Sequence, residues 1–309
     1  MKIIFFGTSE FAVISLRALI KSEHDISFVV TQPKKERGRG LKLLPTCVEV
    51  YSQEECLDVF ACKDVNSKEF IERLKEREAD IFVVVDFGQI LSDELLKIPK
   101  LYPLNIHASL LPKYRGAAPI QRAILDGEKE TGVTIMKIIK PLDSGDIIAQ
   151  AKVEIASDDD SATLRKKLAL LGADLLISTL KRIDDDDITL TEQDESRATY
   201  ARKIKKEDGL IVWAGPAKRI ISQIHACNPW PSAYTYFKGR LLKILKAEAV
   251  NKDSNMQPGS VIRPQKDKIL IACKDAYISV TELQLEGKKP LIASEFLRGY
   301  PLFEGNILG

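Results

Sequence analysis

The chain has 309 residues, of which 45% are hydrophobic, 29% charged and 7% aromatic, with a formal net charge of +2. That length exceeds one ordinary core and predicts two domains, and the balanced composition excludes a disordered chain or a fibrous repeat. The five cysteines, Cys47, Cys56, Cys62, Cys227 and Cys273, include no CxxC pair, which argues against a disulfide framework or a structural zinc site and fits a reducing cytoplasm.

The opening apolar run, Lys2 to Phe6, is too short for a signal-peptide core and is followed at once by Glu10 and Arg17, so it reads as a buried first strand. No later run reaches membrane length. Strand-like runs at 2–6, 26–31 and 81–85 alternate with helical spacing at 11–20 and 70–74, the pattern of parallel strands with crossover helices. The turn Gly7, Thr8, Ser9 offers a Thr or Ser cap to the first helix. It lacks the GxGxxG spacing, because Ser9 and Ala12 stand where the second and third glycines are needed, so a nicotinamide site is not expected.

An apolar strand then ends in Asn105 and His107, two residues apart and therefore on one face, where ligands bind open parallel sheets. The loop after it holds Pro112, Gly116 and Pro119 and is stiff enough to form a pocket wall. Of the three histidines, His24 lies in a charged turn and His225 in a helix, as ordinary histidines do; His107 is singled out by Asn105 and the rigid loop. A second turn places Asp143 between two strand-like runs, where an aspartate is more often a local backbone cap than a catalyst.

Residues 161–182 have the length and leucine spacing of one long helix opened by a Ser or Thr cap, and a polar stretch follows. The linker is placed there, at 189–206, between domains at 1–188 and 207–309. The last domain reads as a helix at 217–226 and five short strands at 233–237, 241–249, 259–262, 269–272 and 277–283, a small barrel of the oligonucleotide-binding type. From Tyr200 onward 18 Lys and Arg face 10 Asp and Glu, a net of +8 that leaves −6 on the rest, with acidic clusters at 158–160 and 184–187. A basic tail on an acidic body suits a polyanionic partner, although solvated surface charge explains it equally well.

The segment from Asn105 to Pro112, with Arg115, Gly116 and Pro119 and then Asp143 to Asp146, resembles the folate-dependent formyltransferases. Further similarity, in the family's order, lies at Gly7 to Ala12, Thr31 to Pro33 with Gly38 to Gly40, Gly88 to Leu91, Gln121 to Ile124, Thr131 to Met136, Ala198 to Ala201 and Asn228 to Pro231. It covers nearly the whole chain, and the segments 203–209 and 228–231 are similar to the tail of those members that act on tRNA.

The resemblance implies a Rossmann-like formyltransferase domain followed by an OB-like barrel, and formyl transfer from 10-formyltetrahydrofolate to the amine of initiator methionyl-tRNA without a metal. It implies Asn105, His107 and Asp143 as the catalytic trio: Asn105 and a protonated His107 donate hydrogen bonds to the developing oxyanion, and Asp143 favours the imidazolium and aids proton movement. Folate binding is implied for Phe87, Gly88, Gln89, Ile90 and Leu91 and for Ser109, Leu110, Leu111 and Pro112. Contact with tRNA is implied for Lys34, Lys35, Arg37, Arg39 and Lys42 in the basic loop and for Lys203, Lys205 and Lys206 in the tail. Asp86 and Phe87 replace an Ala-Tyr pair, so a charge either enters the folate pocket or faces outward. Val212, His225 and Cys227 also depart from the family pattern, in the tail.

Two alternatives stand beside this reading. One is a formyltransferase acting on another amine, such as a sugar nucleotide, or a formyl-folate hydrolase; the basic loop and tail oppose it. The other is a noncatalytic tRNA-binding protein, which the complete trio opposes. The lack of heptads predicts a monomer.

Overall fold

The computed structural model describes residues 1–37, 42–250, 252–265, 268–300, 302 and 304–309. The chain forms two compact units: Met1–Gly116, Glu130–Glu154 and Arg165–Ala201 make the first, and Ala117–Lys129, Ile155–Leu164 and Arg202–Gly309 the second.

In chain order, β1 (Lys2–Gly7) leads through α1 (Glu10–Ile20) to β2 (Asp25–Thr31), and a hairpin of β3 (Lys35–Arg37) and β4 (Lys42–Leu44) follows. Then come α2 (Cys47–Glu54), β5 (Val59–Ala61), α3 (Lys68–Lys75), β6 (Ile81–Val85), α4 (Asp93–Leu96) and β7 (Tyr102–His107). After α5 (Pro119–Leu125), which belongs to the second unit, β8 (Glu130–Lys137) and β9 (Ile147–Glu154) complete the sheet of the first. The long helix α6 (Ser161–Asp184) belongs to the first unit from Arg165 onward.

The strands stand in the order β5-β2-β1-β6-β7-β8-β9. The five strands from β5 to β7 are parallel, as the alternating pattern predicts, while β8 and β9 add an antiparallel edge. The segment 138–146 between β8 and β9 is too short for a helical crossover, so the chain can only double back. Strand β1 is buried on both faces, with Ile3, Ile4, Phe5 and Phe6 all at 0% exposure, which is why it reads as a continuous apolar run. On one face Ile4, Phe6, Phe28, Val30, Phe82 and Val84 pack with Phe70, Ile71 and Leu74 of α3. On α6, Gly172 lets the helix come close to the sheet: a Cβ there would lie 3.1 Å from Ile106 and 3.3 Å from Val133.

Two expected caps are made differently. Ser9 takes the extended cap conformation before α1, but its hydroxyl makes no capping bond, and the Thr8 hydroxyl donates instead to the Phe87 carbonyl at 2.9 Å. The start of α6 is capped by a carboxylate rather than a hydroxyl, with Asp160 Oδ1 accepting from the amides of Ala162 and Thr163 at 2.9 and 2.8 Å.

The second unit adds α7 (Ala217–Cys227), β10 (Ala233–Phe237), β11 (Arg240–Val250), β12 (Val261–Gln265), β13 (Lys268–Ala272), β14 (Tyr277–Leu285), β15 (Leu291–Ile292) and α8 (Ala293–Gly299). Its antiparallel sheet runs β10-β11-β14-β13-β12, with β15 beside β14, and curls into the small barrel-like domain expected from the five short runs. Ile220 and Ile224 of α7 enter its core with Leu242, Ile244, Ile271, Val280 and Phe296. In the same unit Arg122 of α5 reaches Asp208 at 3.2 Å.

Candidate active site

Asn105 and His107 point from the carboxyl end of β7, and both reach Asp143 on the turn between β8 and β9. The Asn105 Nδ2 donates to Asp143 Oδ1 at 3.4 Å, and His107 Nδ1 lies 3.6 Å from Asp143 Oδ2. The amide of Gly116 donates to that same Oδ2 at 2.8 Å. The side chains of His107 and Asp143 are 6% and 10% exposed, so these contacts act with little screening by water. The candidate trio, spread over 39 positions of sequence, is thereby one cluster: Asp143, which by residue type alone could have capped its own turn, accepts from two distant segments.

The backbone is forced into this arrangement. Asp143 has a φ of 51°, in the left-handed region that an aspartate tolerates better than most residues. At Gly145 any Cβ would sit 1.8 Å from the Lys137 carbonyl oxygen, so the turn closes only with glycine. His107 Nε2 is 2.9 Å from the carbonyl oxygen of Tyr114. A carbonyl only accepts, so Nε2 carries a hydrogen and Nδ1 is the ring atom turned to Asp143.

The two loops expected to bind folate are braced from inside. In the first, Phe87 is buried edge-on against Phe6, and its carbonyl accepts from both Thr8 and Gln32. Gln89 spans from the Val65 amide to the Cys62 carbonyl, and Leu91 is buried. Of these five residues, Ile90, at 79% exposure, and Gly88, with a φ of 83°, are the open ones. In the second loop the Ser109 hydroxyl donates to the Lys113 carbonyl, the Leu111 amide to the Thr134 hydroxyl, and Gln150 Nε2 to the Leu111 carbonyl. Leu110 and Pro112 are half-buried. Asp86 faces outward, paired with Arg165 at 3.2 Å, so its charge is neutralised on the surface.

Lys34, Lys35 and Lys42 are exposed at the β3–β4 hairpin, and Lys35 donates to the Gln32 side chain. Arg37 is the last residue of β3, and Arg39 lies outside the described residues. In the second unit Lys203, Lys205 and Lys206 are all exposed.

Arg115 belongs to the motif quoted from the sequence, but nothing in that motif pointed to Gln193 and Glu195, which brace the trio with it. Gln193 is 5% exposed, donates to the carbonyls of Asp143 and Gly145 at 3.0 and 2.7 Å, and accepts from Arg115. Arg115, itself 2% exposed, also forks onto Glu195 at 2.9 and 2.7 Å, and that contact holds the Glu195 carboxyl below its usual range. Among the described residues no group of three or more His, Cys, Asp or Glu is placed to hold a metal ion. No described helix is long and apolar enough to cross a membrane.

Known proteins share this fold and sequence. A solved sugar 3N-formyl transferase, WlaRD, superposes with a TM-score of 0.69 at 21% identity, covering 94% of this chain and 99% of its own. HypX from Aquifex aeolicus, solved with tetrahydrofolic acid, superposes at 0.64 and 18% identity over all of this chain and 50% of its own. Methionyl-tRNA formyltransferases from Caldanaerobacter subterraneus subsp. tengcongensis and from a Sulfurihydrogenibium species are each 44% identical, the first over 100% of both chains and the second over 99% of both. The profile described as formyl transferase matches residues 1–180, and that of the formyl transferase C-terminal domain matches residues 203–301. With both profiles matched and the sequence shared end to end with such relatives, the chain belongs to the formyl transferase family.

Proposed function

We propose that this chain transfers the formyl group of 10-formyltetrahydrofolate to the free amine of initiator methionyl-tRNA, in the cytoplasm. The observation that carries the reading is the 41–44% identity to methionyl-tRNA formyltransferases, which extends through the second unit as well as the first. The sugar-nucleotide alternative rests on neighbours such as WlaRD, whose 21% identity speaks for the fold alone.

In this reading the amine attacks the formyl carbon, negative charge builds on the formyl oxygen, and the bond to N10 breaks as the proton given up by the attacking amine is delivered to N10. Asn105 spends one amide hydrogen on Asp143 and keeps the other to donate to the oxyanion. His107 works through Nδ1, because Nε2 is committed to the Tyr114 carbonyl. Nδ1 lies 3.6 Å from Asp143 Oδ2, which places the pair to relay a proton between the attacking amine and N10 in this reading. Folate lies against Gly88, Ile90 and the backbone of the Ser109 to Pro112 loop, the side chains of Phe87, Gln89 and Leu91 serving to hold the loop's shape. The exposed lysines of the hairpin, with Arg37 and Arg39, and Lys203, Lys205 and Lys206 neutralise tRNA phosphates. Residues 1–188 act as the catalytic domain and 207–309 as the tRNA-binding domain; of the stretch 189–206, expected as a linker, residues 189–201 belong to the first unit.

The test is formyl transfer to initiator methionyl-tRNA by the purified chain, with Asn105→Ala beside it. Turnover that falls about 10²- to 10³-fold in the variant, the usual cost of one oxyanion donor, supports the reading. Tight tRNA binding without transfer by the unaltered chain would replace it with the noncatalytic one, and transfer to a sugar-nucleotide amine alone would replace the acceptor.

A further inference from the structure

The segment that follows α6 reads in the sequence as a polar linker, yet in the first unit it lies along the back of the trio as a strap. At its start Thr191 exchanges both backbone hydrogen bonds with Ile147, at 2.8 and 2.9 Å. At its end the Thr199 hydroxyl accepts from the Tyr114 amide at 2.9 Å, the Thr199 carbonyl accepts from the Arg115 amide at 2.9 Å, and the Ala201 amide donates to the Arg115 carbonyl at 2.7 Å. These bonds fix the loop that presents the Tyr114 carbonyl to His107 and the Gly116 amide to Asp143. Gly116 has a φ of 115°, and a Cβ on it would come 3.0 Å from the Ala201 carbonyl oxygen, so the strap and the loop fit only without one.

Gln193 occupies the middle of the strap and engages both ends of its amide. Its Oε1 accepts from Arg115 Nε and Nη2 at 3.1 and 2.8 Å, and its Nε2 gives one hydrogen to the Asp143 carbonyl and one to that of Gly145. The other fork of Arg115 is closed by Glu195, so the guanidinium is locked and Gln193 is locked to it. No ionised carboxylate could do this work, because it has no hydrogen to donate to the two carbonyls, and an asparagine is one methylene short.

We propose that Gln193 is a positioning residue for the reaction: it ties the strained Asp143 turn to the same strap that holds the Tyr114 and Gly116 backbone, and so sets the separation between Asp143 and His107. The site has no direct covalent constraint on that separation, since His107 ends β7 and Asp143 sits on the turn between β8 and β9. The amide of one glutamine, bonded to both sides, supplies it. This proposal rests on the reading of Asn105, His107 and Asp143 as the catalytic cluster.

The experiment compares the unaltered full chain with Gln193→Met, which keeps the length and loses the donors, with Gln193→Glu, which keeps the acceptors for Arg115 and loses the donors, and with Glu192→Ala at the neighbouring exposed position. Formyl-transfer kinetics are measured across pH. The ring nitrogens of the three histidines are followed by NMR, which needs no turnover. The expected result is a fall in kcat of about 10- to 100-fold in both Gln193 variants, with KM for either substrate changed by less than about threefold. The pH profile of kcat and the titration midpoint of His107 should move together, while the signals of His24 and His225 stay in place. Glu192→Ala should match the unaltered chain in every readout. An unchanged kcat, a loss of rate that tracks only the fraction of folded protein, or a His107 titration identical in all variants would overturn the proposal. A chain that transfers no formyl group but whose His107 titration moves in the Gln193 variants would overturn the functional reading and leave the positioning role standing.

Discussion

Asp143 and Asp208 are buried to nearly the same degree, with side chains 10% and 13% exposed, yet their surroundings differ in kind. Asp208, in the second unit, accepts from the Lys205 amide at 2.8 Å, from Arg202 at 2.8 Å and from Arg122 at 3.2 Å. Burial alone would raise its carboxyl, but the amide and the two guanidinium groups outweigh that and hold it below the usual range. Asp143 is met by a neutral amide, a backbone N–H and an imidazole. A carboxylate wrapped in permanent positive charge is a fastener, whereas one whose ionic partner can gain and lose a proton is available for chemistry.

This contrast can be broken at three points. The largest effect is expected for Asp143→Asn, which keeps the shape and the Gly116 contact but removes the charge facing His107. Turnover should fall by about 10²-fold or more, as for loss of a positioned acid-base partner, with thermal stability nearly unchanged. Asp208→Asn should do the opposite: a loss of about 1–3 kcal/mol in unfolding free energy, because Arg122 stays partly buried with a weakened partner, and no direct effect on chemistry. The sign of the pH dependence follows from the depressed carboxyl. The stabilisation from Asp208 is fully present above the unfolded-state value near 3.9 and disappears as pH falls through the lower folded value, so acid unfolding curves of the two proteins should converge there. If Asp208→Asn stops catalysis without lowering stability, the distinction between fastener and chemistry fails. The smallest effect is expected for Lys34→Ala with Lys42→Ala on the exposed hairpin. There tRNA affinity should fall several-fold for every sequence, and the slope of log affinity against log salt should shrink by about one for each phosphate that is no longer neutralised.

The same contrast explains what could be read in advance. Asn105 and His107 were legible as a pair because a strand alternates its side chains, so two polar residues at spacing two must share a face. The parallel sheet was legible from buried runs such as Ile3 to Phe6, which leave no polar face to alternate. The outward turn of Asp86 was not, because its partner Arg165 stands on a helix 79 positions later. Nor was the work of Gln193: a glutamine in a polar stretch is unremarkable by composition, and its bonds to Arg115 and the Asp143 turn span 78 and 50 positions. The cap of α6 reads in the sequence as a hydroxyl for the reverse reason, since Asp160 lies in an acidic run whose members look interchangeable until one carboxylate meets two free amides.

By itself the sequence determined the two-part architecture, the strand and helix periods and the family resemblance, and through that resemblance it named the candidate trio, because these depend on residue type and local spacing. Residue type and spacing did not place Asp143 opposite His107, which only the resemblance implied; the tertiary structure brings the two together, turns Nδ1 of His107 to Asp143, and makes the stretch after α6 a strap on the site. Those are outcomes of chain closure: hydrogen-bond partners separated by tens of residues are selected by which backbone groups must be satisfied once the sheet has formed, and no local pattern records that choice.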